Sequence, residues 1–213
     1  FLLPRQKYFL VSFLIFLLTS LILGFSIGSF DISIKDILFF NIDSLSKTIL
    51  LTIRMPRVIL AAFVGASLAI SGACLQGLFR NPLADPGLIG VSAGAALGAA
   101  FSIVFSSYFT SFNLFGPYLI PFSAIIGSAT VIIILFFITR GFGYDGVTYM
   151  LLAGIAVNAI AGVGIGMLTY ISDDSQLRSL TFWTMGSFGG VTWPLILPAM
   201  VVILFAIIWI IGL

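Results

Sequence analysis

The chain has no histidine and one cysteine, and only nine basic and seven acidic side chains among its 213 residues. Without histidine, and with its carboxylates scattered singly, it offers no recognisable zinc, copper or heme site, and no cofactor is expected. Cys74 lies between Ala73 and Leu75 in an apolar helix, where a cysteine serves as a small packing residue, and a single cysteine builds no disulfide framework. A net charge of +2 leaves no basic stripe for nucleic acid. No glycine-rich run followed by Lys and Ser or Thr is present, which excludes the usual nucleotide cradle. There is no nucleophile elbow and no paired acid and base, so intramembrane hydrolysis has no machinery, and no catalytic residue is assigned. Polar surface is also scarce. With 61% hydrophobic residues, 22 phenylalanines and 8% charged residues, the chain cannot cover a soluble globule, so a water-soluble enzyme is excluded.

What fills the sequence is a series of uncharged runs long enough to cross a hydrocarbon core of roughly 30 Å. They predict an all-α, polytopic transmembrane helical bundle of about six spans in one domain, residues 1–213. The runs are 8–30, 58–79, about 88–105, 117–138, 147–171 and 194–213. The first is rich in Leu, Ile and Phe on every side, has no small-residue cleavage site after it, and follows Arg5 and Lys7. It is expected to be a retained, lipid-facing span with a cytoplasmic anchor. Residues 31–57 form an interfacial connection, with Ile34, Ile37 and Leu38 spaced for a short amphipathic helix. Residues 106–116 make a return loop, and 172–193 a polar and aromatic connection whose Phe182, Trp183 and Trp193 suit an interfacial belt. The start at Phe1 and the end within an apolar run at Leu213 lead us to expect a fragment of a longer protein.

Small residues organise the middle of the chain. Ala61, Gly65, Ala69, Ala73 and Gly77 recur every fourth residue in the second span, and Gly90, Gly94, Gly98 and Ser102 in the third. Such rows let helix backbones touch, so both helices are expected in the protein's interior. Between them, RNPLADPG at 80–87 carries two prolines, each preceded by Asn or Asp, and breaks the helix. In the fifth span Gly154, Asn158, Gly162, Gly166 and Tyr170 fall four apart.

The stretch RMPR at 54–57, the segment LQGLFRNPLADPGLIGVSAGA, and the later LLAGIAVN at 151–158 and FWTMGSFGGVTW at 182–193 occur in an order that resembles the permease family of ABC importers for iron-siderophores, heme and vitamin B12. The resemblance covers nearly the whole chain, and it implies ten membrane helices in a full member. It further implies a bacterial or archaeal cytoplasmic membrane protein that pairs with itself or a paralogue, two cytoplasmic ATPases, and an extracytoplasmic binding protein that delivers the chelate. Spans two to five, roughly 58–171, then resemble the first of two inverted repeats. Charge alone does not set the orientation, since a cytoplasmic start places four basic residues inside and five outside; the start is kept cytoplasmic from Arg5, Lys7 and the resemblance. A secondary transporter driven by an ion gradient is the main alternative, and a structural membrane subunit a third.

The candidate site residues follow from these two sources. Arg54 and Arg57, three apart at the outer mouth, project from one face if the second helix starts early, and can snorkel to the interface or meet acidic groups on a partner. The resemblance makes them binding-protein docking residues. Asn158 in a glycine-rich face either ties helices together or lines a hydrated path. The resemblance places it, with Gly154, Gly162 and Gly166, beside the translocation path, and places Asp145, Val147 and Thr148 where the path narrows on the cytoplasmic side. Gln76 is read as helix glue. Asp85, between two prolines, is read as a turn former and not as a proton relay.

Overall fold

The computed structural model describes residues 4–28, 30, 32–33, 43–106, 116–141 and 146–212. Asp31 and residues 34–42 of the expected interfacial connection lie outside the described residues, as do 107–115 of the return loop and Asp145. The described elements are helical. In chain order they are α1 (Pro4–Ser26), α2 (Ser44–Ile49), a π-helical turn (Leu50–Arg54), α3 (Met55–Phe79), a 3-10 turn (Pro86–Ile89), α4 (Val91–Val104), a second 3-10 turn (Gly116–Tyr118), α5 (Leu119–Thr139), α6 (Gly146–Ile171), α7 (Asp174–Met185) and α8 (Trp193–Gly212). Five helical stretches are long and apolar enough to cross a membrane: 5–26, 44–79, 116–139, 146–171 and 193–210. The third expected span is instead the shorter α4. Gly90 at φ +85°, a left-handed conformation that suits glycine, separates it from the 3-10 turn, so the run is bent where a continuous helix was expected.

The chain divides into two compact units, residues 1–67 with 188–213, and residues 68–187. In the second unit the organising contact is between α4 and α5. A Cβ built on Gly94 would lie 2.7 Å from the Gly127 carbonyl oxygen, one on Gly98 would collide with the Ser123 carbonyl, and one on Gly127 with that of Gly94. The two helices therefore meet backbone to backbone through Gly94-xxx-Gly98 and Ser123-xxx-Gly127. Around this seam Ile89, Val131 and Leu135 form one core cluster with Leu75, Phe79 and Val157 packed against it. Ala100, Ile103, Val104 and Leu180 form another, with Ile165, Leu168 and Trp183 against it.

Residues 172–193, expected as a polar connection, contain the helix α7. Its start is a capping box: the Asp173 carboxylate accepts from the Ser175 and Gln176 backbone N–H groups, and the Gln176 side chain accepts from the Asp173 N–H. Gln176 also donates through Nε2 to the Val104 carbonyl at 3.0 Å, which satisfies a carbonyl at the end of α4. The Gln176 N–H foremost, and then the Ser175 hydroxyl, hold the Asp173 carboxyl below the ordinary carboxylate range.

In the first unit α1 is exposed along most of its length, with Phe13 and Phe16 about 70% exposed. Its Ser12 and Thr19 hydroxyls donate to carbonyls four residues earlier, so they leave no open polar group toward lipid. The small-residue row of α3 departs from expectation. Ala61, Gly65, Ala69, Ala73 and Gly77 are all exposed, and no atom lies within 4 Å of a Cβ built on Gly65 or Gly77. Cys74 and Gln76 are exposed on the same helix. A glycine row gains only from a backbone close enough to touch it, and among the described residues that backbone is present for α4 and absent for α3.

This difference makes a stability prediction. Gly98→Ala should lower the thermal stability of the purified protein by about 1–3 kcal/mol, because the added methyl has nowhere to go. Gly65→Ala should change it by less than about 0.5 kcal/mol. Thermal melts in detergent monitored by fluorescence check both, and equal effects would contradict the packing described.

Candidate functional site

The residues singled out by sequence fall into two groups, one at the entry to α3 and one along α6. At the entry, the cause of the local structure is Pro56. In the π-helical turn the Met55 N–H reaches back five residues to the Leu50 carbonyl. The next donor in that pattern would be residue 56, and proline has no N–H. The Leu51 carbonyl left over accepts from the Trp193 indole Nε1 at 2.9 Å, at the start of α8. A proline that would otherwise break the helix is thus absorbed by one wide turn and one side-chain donor.

Arg54 and Arg57 flank that proline and face different surroundings. Arg54 is buried at 8% exposure. Its Nη1 donates to the Phe25 and Ser26 carbonyls at 2.7 and 2.6 Å, and its Nη2 to the Phe30 carbonyl. The Phe25 and Ser26 carbonyls are the last of α1, where such groups have no partner within the helix, and the Phe30 carbonyl lies just beyond it; a cation there also complements the helix dipole. The Ser26 hydroxyl adds a bond to the Ile32 carbonyl at 2.6 Å. Arg57 is exposed and donates only its Nε, to the Phe188 carbonyl at 3.2 Å. Among the described residues its two terminal nitrogens have no partner. The two arginines therefore do not present one shared face.

Along α6, Gly154 is buried, and a Cβ on it would lie 2.9 Å from the Ile89 Cα and collide with the Leu88 carbonyl. One turn on, the Asn158 side chain donates Nδ2 to the Gly87 carbonyl at 2.9 Å, so these two hold α6 onto the 3-10 turn. That turn is capped by Asp85, whose carboxylate accepts from the Gly87 N–H at 2.7 Å, the turn-forming role expected of it. Gly162 and Gly166 are exposed with no atom within 4 Å of a built Cβ, and Tyr170 is 90% exposed. The row of five splits because a step of four residues overshoots a helical turn of 3.6 by about 40°, so Gly166 lies about 120° around the helix from Gly154. Val147 is half-buried and Thr148 exposed, in the first turn of α6. Among the described residues no three of His, Cys, Asp or Glu gather where they could hold a metal.

An open groove of about 880 Å³ runs between α4, α5 and α6, lined by residues such as Leu97, Phe101, Phe122, Ile126 and Ile160. Gly154, Asn158, Gly162 and Gly166 are not among its lining residues. Its side-chain oxygens belong to Ser123 and Thr130, and Thr130 is committed to the Ile126 carbonyl at 2.8 Å. The groove suits hydrocarbon.

Sequence reasoning missed the Phe188 carbonyl, Trp193 as a hydrogen-bond donor, and the α1 end beneath Arg54. The readable signal was Pro56 inside a helix, which requires an acceptor to be satisfied from elsewhere. The geometry predicts that the two arginines respond differently to lysine. Arg54→Lys loses the fork that serves three carbonyls and should destabilise the protein by on the order of 2 kcal/mol, since hydrogen bonds to charged donors contribute about 1.5–3 kcal/mol. Arg57→Lys should leave the melting temperature unchanged. Thermal melts of the two variants check this, and a larger loss for Arg57 would contradict it.

The sequence profile of the FecCD transport family matches residues 14–213. The hemin transport system permease protein HmuU of Yersinia pestis is 44% identical over 200 residues, covering 93% of this chain and 59% of that protein. The vitamin B12 import system permease protein BtuC of Vibrio vulnificus is 36% identical, over 73% of this chain and 45% of that one. The molybdate import system permease protein MolB of Haemophilus influenzae is 30% identical, over 85% and 54%. Among solved structures, one described as an inward-facing conformation of a metal-chelate type ABC transporter aligns with a TM-score of 0.79 and 30% identity, over 95% of this chain and 61% of that one. The chain thus spans less than two thirds of the length of each of these relatives.

Proposed function

Because the chain belongs to the FecCD transport family, we propose that it forms part of the membrane permease of an ABC importer for a metal chelate. The observation that carries this reading is the match across residues 14–213, together with 44% identity to a hemin permease. Hemin is accordingly the cargo to test first, ahead of ferric siderophores and corrinoids. In this reading the protein is a conduit and not an enzyme. A second permease subunit completes it, two cytoplasmic ATPases drive it, and an extracytoplasmic binding protein delivers the cargo. Helices that rock between two arrangements would open the path to each side in turn, with residues 58–171 as the first of two inverted repeats.

Individual roles follow the chemistry of the two groups of residues. Arg57 docks the binding protein: it is exposed, and its terminal nitrogens can meet a carboxylate in a forked pair. Arg54 takes part from beneath, by holding the turn that presents Arg57 against the end of α1. On α6, Gly162 and Gly166 border the path, supported by the open space beside them, while Gly154 and Asn158 brace the helix behind it. Val147 and Thr148 form the cytoplasmic narrowing.

Reconstitution tests the proposal. The full-length permease, with its ATPase and a hemin-loaded binding protein in proteoliposomes, should take up hemin only with ATP, and collapse of ion gradients should have no effect. Arg57→Glu should lower binding-protein affinity most at low salt, and exchanging the facing acid for lysine should restore it. Uptake that follows an ion gradient without ATP would overturn the proposal in favour of a secondary transporter.

A further inference from the structure

The docking surface at Arg57 has a feature that a free arginine lacks. We infer that the Phe188 carbonyl is a positioning group for docking at Arg57, so that the shape of the 188–193 connection and the affinity for the binding protein are coupled. This rests on the docking role proposed for Arg57.

The Nε of an arginine lies on the shoulder of its guanidinium, and here the shoulder is occupied by Phe188 at 3.2 Å. The planar end with Nη1 and Nη2 remains for a carboxylate, which it can meet with two parallel bonds while the shoulder stays in place. An exposed arginine without this bond would have to be immobilised when the partner binds, and that loss of freedom weakens association. A lysine cannot substitute, because one ammonium on a flexible stem has no separate shoulder and end.

The connection that carries Phe188 is itself held to the same stretch of chain. Trp193, at its far end, donates to the Leu51 carbonyl at 2.9 Å, the acceptor that Pro56 leaves without a helical donor. Phe188 and Trp193 therefore fix the connection at both ends to the entry of α3, through Arg57 and Leu51. Between them Gly190 has φ +69°, the left-handed region that other residues rarely adopt. No atom lies within 4 Å of a Cβ built on Gly190. Gly190→Ala consequently adds no clash and acts through the backbone conformation of the connection alone. Because coupling is reciprocal, a connection set in its place strengthens docking, and docking in turn holds the connection.

A double-mutant cycle in the assembled importer tests the inference, with binding-protein affinity measured at low salt. Gly190→Ala should weaken binding at least about fivefold in the Arg57 protein, the lower end of typical coupling between sites. In an Arg57→Lys background it should have no further effect, because the shoulder contact is already gone. Trp193→Phe leaves a smaller aromatic ring in place and removes the indole donor, and it should show the same pattern; it carries the cycle alone if Gly190→Ala fails to insert. A general folding defect would weaken binding equally in both backgrounds, and such additivity overturns the coupling while leaving docking intact. If Arg57→Glu also leaves affinity unchanged, the docking role falls and the inference falls with it.

Discussion

Helices surrounded by hydrocarbon gain little by hiding leucine from leucine, so what draws two of them together is close contact and satisfied polar groups. In this chain that constraint is met at Gly94, Gly98 and Gly127, where α4 and α5 touch backbone to backbone. Much of the second unit can be followed outward from that seam. Ile89 and Val131 share a cluster next to it, Gly154 rests on the 3-10 turn that leads into α4, and Asn158 binds that turn's Gly87 carbonyl. At the other end of α4, Leu180 joins the core cluster and Gln176 binds the Val104 carbonyl, which fixes α7.

The long spans were legible because their signal is simple. An uncharged run of about twenty apolar residues has few other uses, and the expected 117–138 and 147–171 differ from α5 and α6 by at most two residues at either end. The short elements were harder. Helix α7 lay hidden in a polar stretch whose composition suggests a connection, although Asp173 followed by Gln176 three residues later is a readable start signal. The rows of small residues were visible, but not which of them would be covered. Periodicity says that a backbone could approach, and the neighbour that does so comes from elsewhere in the chain, as α5 does for α4.

Arg54 shows the same limit from the polar side. Its spacing from Arg57 suggested a shared face, yet its partners are backbone carbonyls at residues 25, 26 and 30, groups that every sequence has. Pro56 was the informative residue between them. By withholding a donor it creates the π-helical turn and the open Leu51 carbonyl, and so separates a buried arginine from an exposed one.

The central claim of the proposed function is that α6 has two flanks, one packed through Gly154 and Asn158 and one, through Gly162 and Gly166, that would border the path. Single cysteines in a permease cleared of its other cysteines, Cys74 among them, test it most directly, placed at Ala159, Gly162 and Gly166 and, on another side of the helix, at Ile160 and Met167. In the assembled importer cycling with ATP, a membrane-impermeant thiol reagent should modify the first three, with cargo protecting them, and leave the last two unmodified. Modification of Ile160 and Met167 positions, with the glycine flank untouched, would contradict the account.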